Sequence, residues 1–116
     1  MAGSLNNASV FYSELAALED GPDERLALRE KAVAAAREAI DLFREAGNPQ
    51  RFLVCLTNGV RHIVALAEET HEPPDEGLIG LCDEGIQVAK AYGDTDRAEF
   101  FAAVKAALER GETPEP

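Results

Sequence analysis

The side chains that could do chemistry are few and poorly spaced for it. Among 116 residues there are two histidines, His62 and His71, and two cysteines, Cys55 and Cys82. No H-E-x-x-H run occurs, so no pair of imidazoles shares one helix face around a metal. Cys55 and His62 lie seven positions apart. On a helix that sets thiol and imidazole ~10 Å apart along the axis, too far for the base to take the thiol proton. His71 sits among Glu68, Glu69, Glu72 and Asp75, a set that would offer ligands to a divalent cation. An exposed acidic helix end running into Pro73-Pro74 accounts for the same residues without a metal. There is no glycine-rich phosphate loop and no nucleophile elbow. Carboxylates are plentiful, but no pair stands out as an acid and its base. The expectation is a non-catalytic chain with no cofactor and no metal site.

Charge narrows the partners. With 22 acidic and 11 basic side chains, the net charge is −11. Such a chain repels phosphate backbones and anionic membrane surfaces, so neither nucleic acid nor membrane is an expected partner. No apolar run approaches the ~18 residues of a membrane helix. The N-terminus lacks a basic stretch followed by an apolar one, so a secretory signal is not expected. Two cysteines do not make a disulfide scaffold. Both fall in neighbouring helical segments at positions offset by ~10 Å along the axes, beyond the ~7 Å that a bridge spans. Reduced, buried thiols and a cytoplasmic location are the expectation. The acid is uneven: residues 67–99 hold ten acids and two bases, and residues 1–66 hold nine and seven. This excess either meets a basic partner or keeps an outer face soluble.

Alanine and leucine dominate, which favours helices. Gly21-Pro22, Gly47-Asn48-Pro49, Pro73-Pro74, Gly93-Asp94 and a Pro-rich tail cut the chain into five segments. The first helix, α1, is expected over about residues 5–18, with Ser4 as its N-cap. The second, α2, is expected over 22–46 with Asp23 and Glu24 in its first turn, and Gly47 and Pro49 closing it. The third, α3, over 50–69, is apolar almost all round and reads as central. The fourth, α4, over 75–92, carries the stripe Leu78, Leu81, Cys82, Gly85, Ile86, Ala89 and Tyr92. The fifth, α5, over 96–110, ends at Gly111. Residues 112–116 read as a disordered tail, leaving residues 1–111 as one domain.

A shift of 46 residues aligns two stretches. Glu38, Ile40, Gly47 and Arg51 match Glu84, Ile86, Gly93 and Arg97. A second match, offset by 51, sets Leu5-Asn6-Asn7-Ala8 on Leu56-Thr57-Asn58-Gly59. Two and a half antiparallel αα-hairpins follow, with α5 opening a third. An ordinary closed five-helix bundle is the alternative. The residues that repeat resemble the tetratricopeptide (TPR) family, in its longer-repeat, kinesin-light-chain-like form. Leu5-Asn6-Asn7-Ala8 followed by Tyr12 is similar to that form's opening, and Leu56-Thr57-Asn58-Gly59 with Ile63 repeats it. Ala32, Ala36 and Ala39 resemble the family's small–bulky–small second helix, and Leu78, Cys82 and Gly85 follow more loosely. Residues 39–48 resemble the end of a unit.

The resemblance implies an all-α, right-handed superhelix whose inner helices α1, α3 and α5 line a groove for an extended peptide or a partner helix. The family's binding positions then fall on Asn7 and Asn58. Arg61, His62 and Lys105 lie on the same class of helix, and Arg51 and Arg97 recur at equivalent helix starts. Amides and guanidinium groups there would hold a partner's backbone or a carboxylate. Local capping of each Asn and surface ion pairing of each Arg are the plainer alternatives. A protein–protein interaction module is the first functional reading. A structural homodimer pairing through the α5 edge, where Phe100 and Phe101 are adjacent, is the second. A small-molecule sensor with a pocket near Cys55, His62 and Tyr92 is the third.

Overall fold

The computed structural model describes residues 2–72 and 77–112. The five helices are α1 (Ala2–Leu18), α2 (Pro22–Ala46), α3 (Pro49–Thr70), α4 (Gly77–Ala91) and α5 (Thr95–Glu109), with no strand among the described residues. The fold is all-α and built from helical hairpins.

Turn chemistry sets most of the ends. Gly47 closes α2 in the left-handed region at φ 67°, and Asn48 then caps α3, its side chain accepting from the Arg51 amide at 3.2 Å. Forty-six residues on, Gly93 adopts φ 71° and Asp94 caps α5, accepting from the Arg97 amide at 3.1 Å. The backbone bonds repeat too: the Asn48 amide donates to Phe43 O, and the Asp94 amide donates to Ala89 O. One turn design is therefore used twice, with glycine supplying the positive φ and a short polar side chain supplying the cap. The start of α1 differs from expectation. It begins at Ala2, so Ser4 lies inside the helix and is not its N-cap. Nothing in Ala2-Gly3-Ser4 forces a stop, and Ser4 stays exposed. The described part of α4 starts at Gly77; the expected start at Asp75 and the expected tail beyond Glu112 lie outside the described residues.

The packing is an open layer. Helix α2 packs on α1 and α3, and α4 on α3 and α5, while α3 also meets α1 and α5. Among the described residues, α1 and α2 make no close backbone approach to α5, so the hairpins stack side by side instead of closing into a bundle. The overall extents, 42 × 37 × 20 Å, fit a slab about two helix diameters thick. Helix α3 is the central element, burying Phe52, Leu53, Cys55, Leu56, Val60, Ile63 and Val64. Both second helices bury the same three-position stripe: Ala32, Ala36 and Ala39 in α2, and Leu78, Cys82 and Gly85 in α4. Small residues there let the backbones approach. A Cβ on Gly85 would stand 2.6 Å from the Phe101 ring, and one on Gly59 would stand 2.8 Å from Ile40 Cδ1. Phe101 is fully buried, while its neighbour Phe100 sits half-buried, edge-on to it at 5.3 Å. Both cysteines are free and buried.

Candidate functional site

The apolar helix α3 leaves one stripe open on the side shared with α1 and α5. Arg51, Val54, Asn58 and Arg61 recur there at intervals of three and four, so they stand above one another. Val54 is 38% exposed on a helix that otherwise hides its large apolar side chains. Two depressions meet at this residue. One, of about 270 Å³, reaches across Arg51 to Asn6 and Asn7 on α1. The other, of about 380 Å³, reaches across Asn58 and Arg61 to Asp94, Arg97 and Phe100 at the start of α5. Together they make a trough running across all three first helices.

The sequence-derived candidates divide across this geometry. Asn58, Arg51, Asn7, Arg61 and Arg97 all line the trough. Asn58 Nδ2 donates to Asn6 Oδ1 at 3.3 Å, tying α3 to α1. Asn6, absent from the sequence-based set, is thus the amide that meets Asn58, while Asn7 is the exposed neighbour. Arg61 places its guanidinium 5.0 Å from the centre of the Phe100 ring, which explains how two adjacent phenylalanines are both accommodated. Arg97 is held by its own cap residue, Nη1 to Asp94 Oδ2 at 2.7 Å, and this contact holds the Asp94 carboxyl below its usual range.

His62 and Lys105 stand elsewhere. His62 is buried, with Nε2 3.3 Å from Ser9 Oγ. The Ser9 hydroxyl donates its single proton to Asn6 O at 2.7 Å. Its lone pairs therefore face His62, and the neutral ring carries its proton on Nε2. Burial, with Arg29 and Arg61 adding positive charge nearby, pushes the His62 pKa down to about 4. The ring is a strut between α1 and α3 behind the trough. Lys105 turns toward α4 and pairs with Asp83 at 2.6 Å, which raises the lysine's pKa.

Nothing resembling a catalytic constellation assembles among the described residues. Cys55 borders the α1 side of the trough, Tyr92 lines a separate depression at the end of α4, and His62 lines neither. Burial pushes both the Cys55 and Cys82 thiols up to about 11. In the acidic run before Pro73, Glu69 accepts from Arg25 at 2.6 Å and Arg29 at 3.1 Å, its carboxyl held below the usual range first by the Arg25 bond. Asp75 lies outside the described residues, and no metal-binding cluster occurs among those described.

Ion pairing gives the trough its character. The acids of α4 are engaged within the fold: Glu84 takes Arg44 at 2.7 Å and Asp83 takes Lys105. Arg25, Arg29, Arg44, Arg97 and Arg110 all have carboxylate partners. Arg51 and Arg61 have none among the described residues, and both lie on the α3 stripe. No helix of the described residues is long and apolar enough to cross a membrane. No family model, no curated protein and no solved structure matches this chain.

Proposed function

We propose that the protein is a non-catalytic, TPR-like interaction module that holds a peptide or partner helix in the trough formed by α1, α3 and α5. One observation carries the reading: in a chain of net charge −11, the α3 stripe presents two arginines with no carboxylate partner among the described residues, flanking an exposed valine. A strip with guanidinium at both ends, an amide at Asn58 and an apolar step at Val54 suits an extended or helical segment carrying carboxylates around an apolar side chain. The paired use of one turn design at Gly47-Asn48 and Gly93-Asp94 supports a repeat architecture of the TPR-like kind. Thiols that burial keeps protonated, and a histidine turned away from the trough, support binding over catalysis.

The test is direct titration by fluorescence anisotropy with three labelled peptide pools of equal length: acidic–apolar, neutral–apolar and basic–apolar. The acidic–apolar pool should bind, and Arg61→Glu should weaken it by about tenfold or more, in line with loss of a charge-assisted contact. Equal binding of the three pools, or a titration unchanged in Arg61→Glu and Arg51→Glu, would remove the trough as the site.

A further inference from the structure

The repeat exposes a seat that one hairpin fills and the next leaves open. In the first unit, α4 packs on α3 and reaches α2 through the Glu84–Arg44 pair, beside the groove between α2 and α3. Phe52, Leu53 and Leu56 share one buried cluster with Leu78, Cys82 and Ala89 of α4. At the solvent end of that groove, a depression of about 370 Å³ is bounded by Arg44, Gly47, Pro49 and Phe52 on one side and by Glu84 and Val88 of α4 on the other. Glu84 reaches across to Arg44 with both oxygens, at 2.7 and 2.9 Å.

Forty-six residues on, the same groove recurs between α4 and α5. Lys90, Gly93, Thr95 and Ala98 replace Arg44, Gly47, Pro49 and Phe52 around an apolar depression of about 420 Å³, with Glu99 its one acid. No helix among the described residues covers it. Ile40 and Leu56 are buried in the first unit, whereas their counterparts Ile86 and Ala102 are half-buried and exposed. Lys90 has no carboxylate partner among the described residues. The floor is also shallower in side chain, with alanine at 98 and 102 where the first unit has Phe52 and Leu56.

The opposite edge of the slab carries a matching helix. On α4, Leu81, Glu84 and Val88 fall at i, i+3 and i+7, with Glu84 and Val88 bordering the filled groove. On α1 the same spacing gives Phe11, Glu14 and Leu18. Phe11 is 57% and Leu18 81% exposed, two of the four large apolar side chains so placed among the described residues. Glu14 between them is exposed and has no ion-pair partner among the described residues. Larger side chains on the helix complement smaller ones on the floor, and a carboxylate meets an unpaired lysine.

The geometry points to self-association: α1 of a second copy seats in the α4–α5 groove, with Phe11, Glu14 and Leu18 standing in for Leu81, Glu84 and Val88, and Glu14 meeting Lys90. The two surfaces differ and lie at opposite edges. The contact is therefore heterologous, and copies add head to tail into a short chain or a closed ring.

Light scattering after size-exclusion chromatography, run from low micromolar to millimolar protein, tests this. The wild type should rise in mass with concentration past the dimer. Lys90→Glu and Glu14→Lys should each weaken association by about tenfold, since each leaves two like charges facing in the seat. Both positions are exposed, so folding is not at stake, and circular dichroism checks it. An equimolar mixture of the two variants restores opposite charge at both kinds of junction and should recover association. Arg61→Glu, on the trough, should leave the masses unchanged, which separates this contact from the peptide site. A wild type monomeric throughout, a mass that stops at the dimer, or a mixture no better associated than either variant would overturn the proposal.

Discussion

Acidification from about pH 7 to about pH 5 should destabilise this fold chiefly through one residue, His62. In the unfolded chain the imidazole has its ordinary value of 6.5; in the fold, burial and the nearby Arg29 and Arg61 lower it to about 4. The folded state therefore resists the proton that the unfolded state accepts. The associated stability is fully present above 6.5 and is lost as pH falls toward 4. At about pH 5 the unfolded ring is almost wholly protonated and the folded ring almost wholly neutral. Each pH step of one below 6.5 removes about 1.36 kcal/mol, so the loss at that point reaches roughly 2 kcal/mol. Glu69 and Asp94, whose carboxyls lie below their ordinary 4.5 and 3.8, act with the same sign but mostly at lower pH. The assay is urea unfolding at both pH values in wild type and in His62→Gln, whose amide nitrogen can still donate to Ser9 Oγ but does not titrate. The wild type should lose about 2 kcal/mol across the interval and the variant only a few tenths. Equal losses in the two proteins, or a His62 ring resonance titrating near 6.5 in the native state, would refute the buried-strut assignment.

Gly85→Ala should destabilise by about 1–2 kcal/mol, because the added Cβ would meet the buried Phe101 ring at 2.6 Å and outweigh the helix-propensity gain. Gly59→Ala should be closer to neutral, since the atom it meets is the terminal methyl of Ile40, which can rotate away; thermal unfolding of the pair measures the contrast. Asn48→Ala removes the cap of α3 and should lower stability by about 1 kcal/mol, read from the shift in urea midpoint. Cys55 and Cys82, with thiols at about 11, should resist a disulfide reagent near neutral pH in the native protein and react fully in denaturant; rapid native labelling would contradict their burial.

The architecture is legible in sequence where local chemistry and tertiary fold agree. Gly47-Asn48-Pro49 and Gly93-Asp94 name their turns outright, and the 46-residue offset survives because those turns, and the small stripe facing each first helix, must be built alike. The ends of α2 are read from Gly21-Pro22 and Gly47 to the residue. Where no local signal acts, the reading drifts: nothing in Ala2-Gly3-Ser4 marks the true start of α1. Rotation about a helix axis is harder still. Asn6 and Asn7 differ by one position, hence by about 100° of rotation, and only packing against α3 decides that Asn6 meets Asn58. For His62 the sequence leaves an inner hydrogen-bonded ring and a groove residue both open, and packing decides for the first, turning the ring to Ser9. Lys105 sits on a first helix but reaches back to the preceding helix, a pairing that depends on where α4 brings Asp83.

Charge shows why tertiary placement changes a compositional argument. Residues 67–99 look like a concentrated acidic surface in sequence, yet Asp83 and Glu84 are engaged by Lys105 and Arg44, holding α4 to its neighbours on both sides. Glu69 gathers Arg25 and Arg29 in the same way, holding the start of α2 to the end of α3. Each of these pairs is partly exposed and contributes modestly to stability. Their larger effect is on what they leave over. With twice as many acids as bases, carboxylates are in excess over the cations they could pair with. Arg51 and Arg61 stay unpaired although Asp94 and Asp96 line the same trough: Asp94 is taken by Arg97, and Arg61 lies over the Phe100 ring. Lys90 escapes for a different reason: among the described residues no helix follows α5 to bring it a carboxylate, as α4 brings Glu84 to Arg44. Lys31, the fourth cation with no carboxylate partner among the described residues, lies over the Tyr12 ring; the other three face the places proposed for a carboxylate-bearing segment in the trough and for a helix at the open edge.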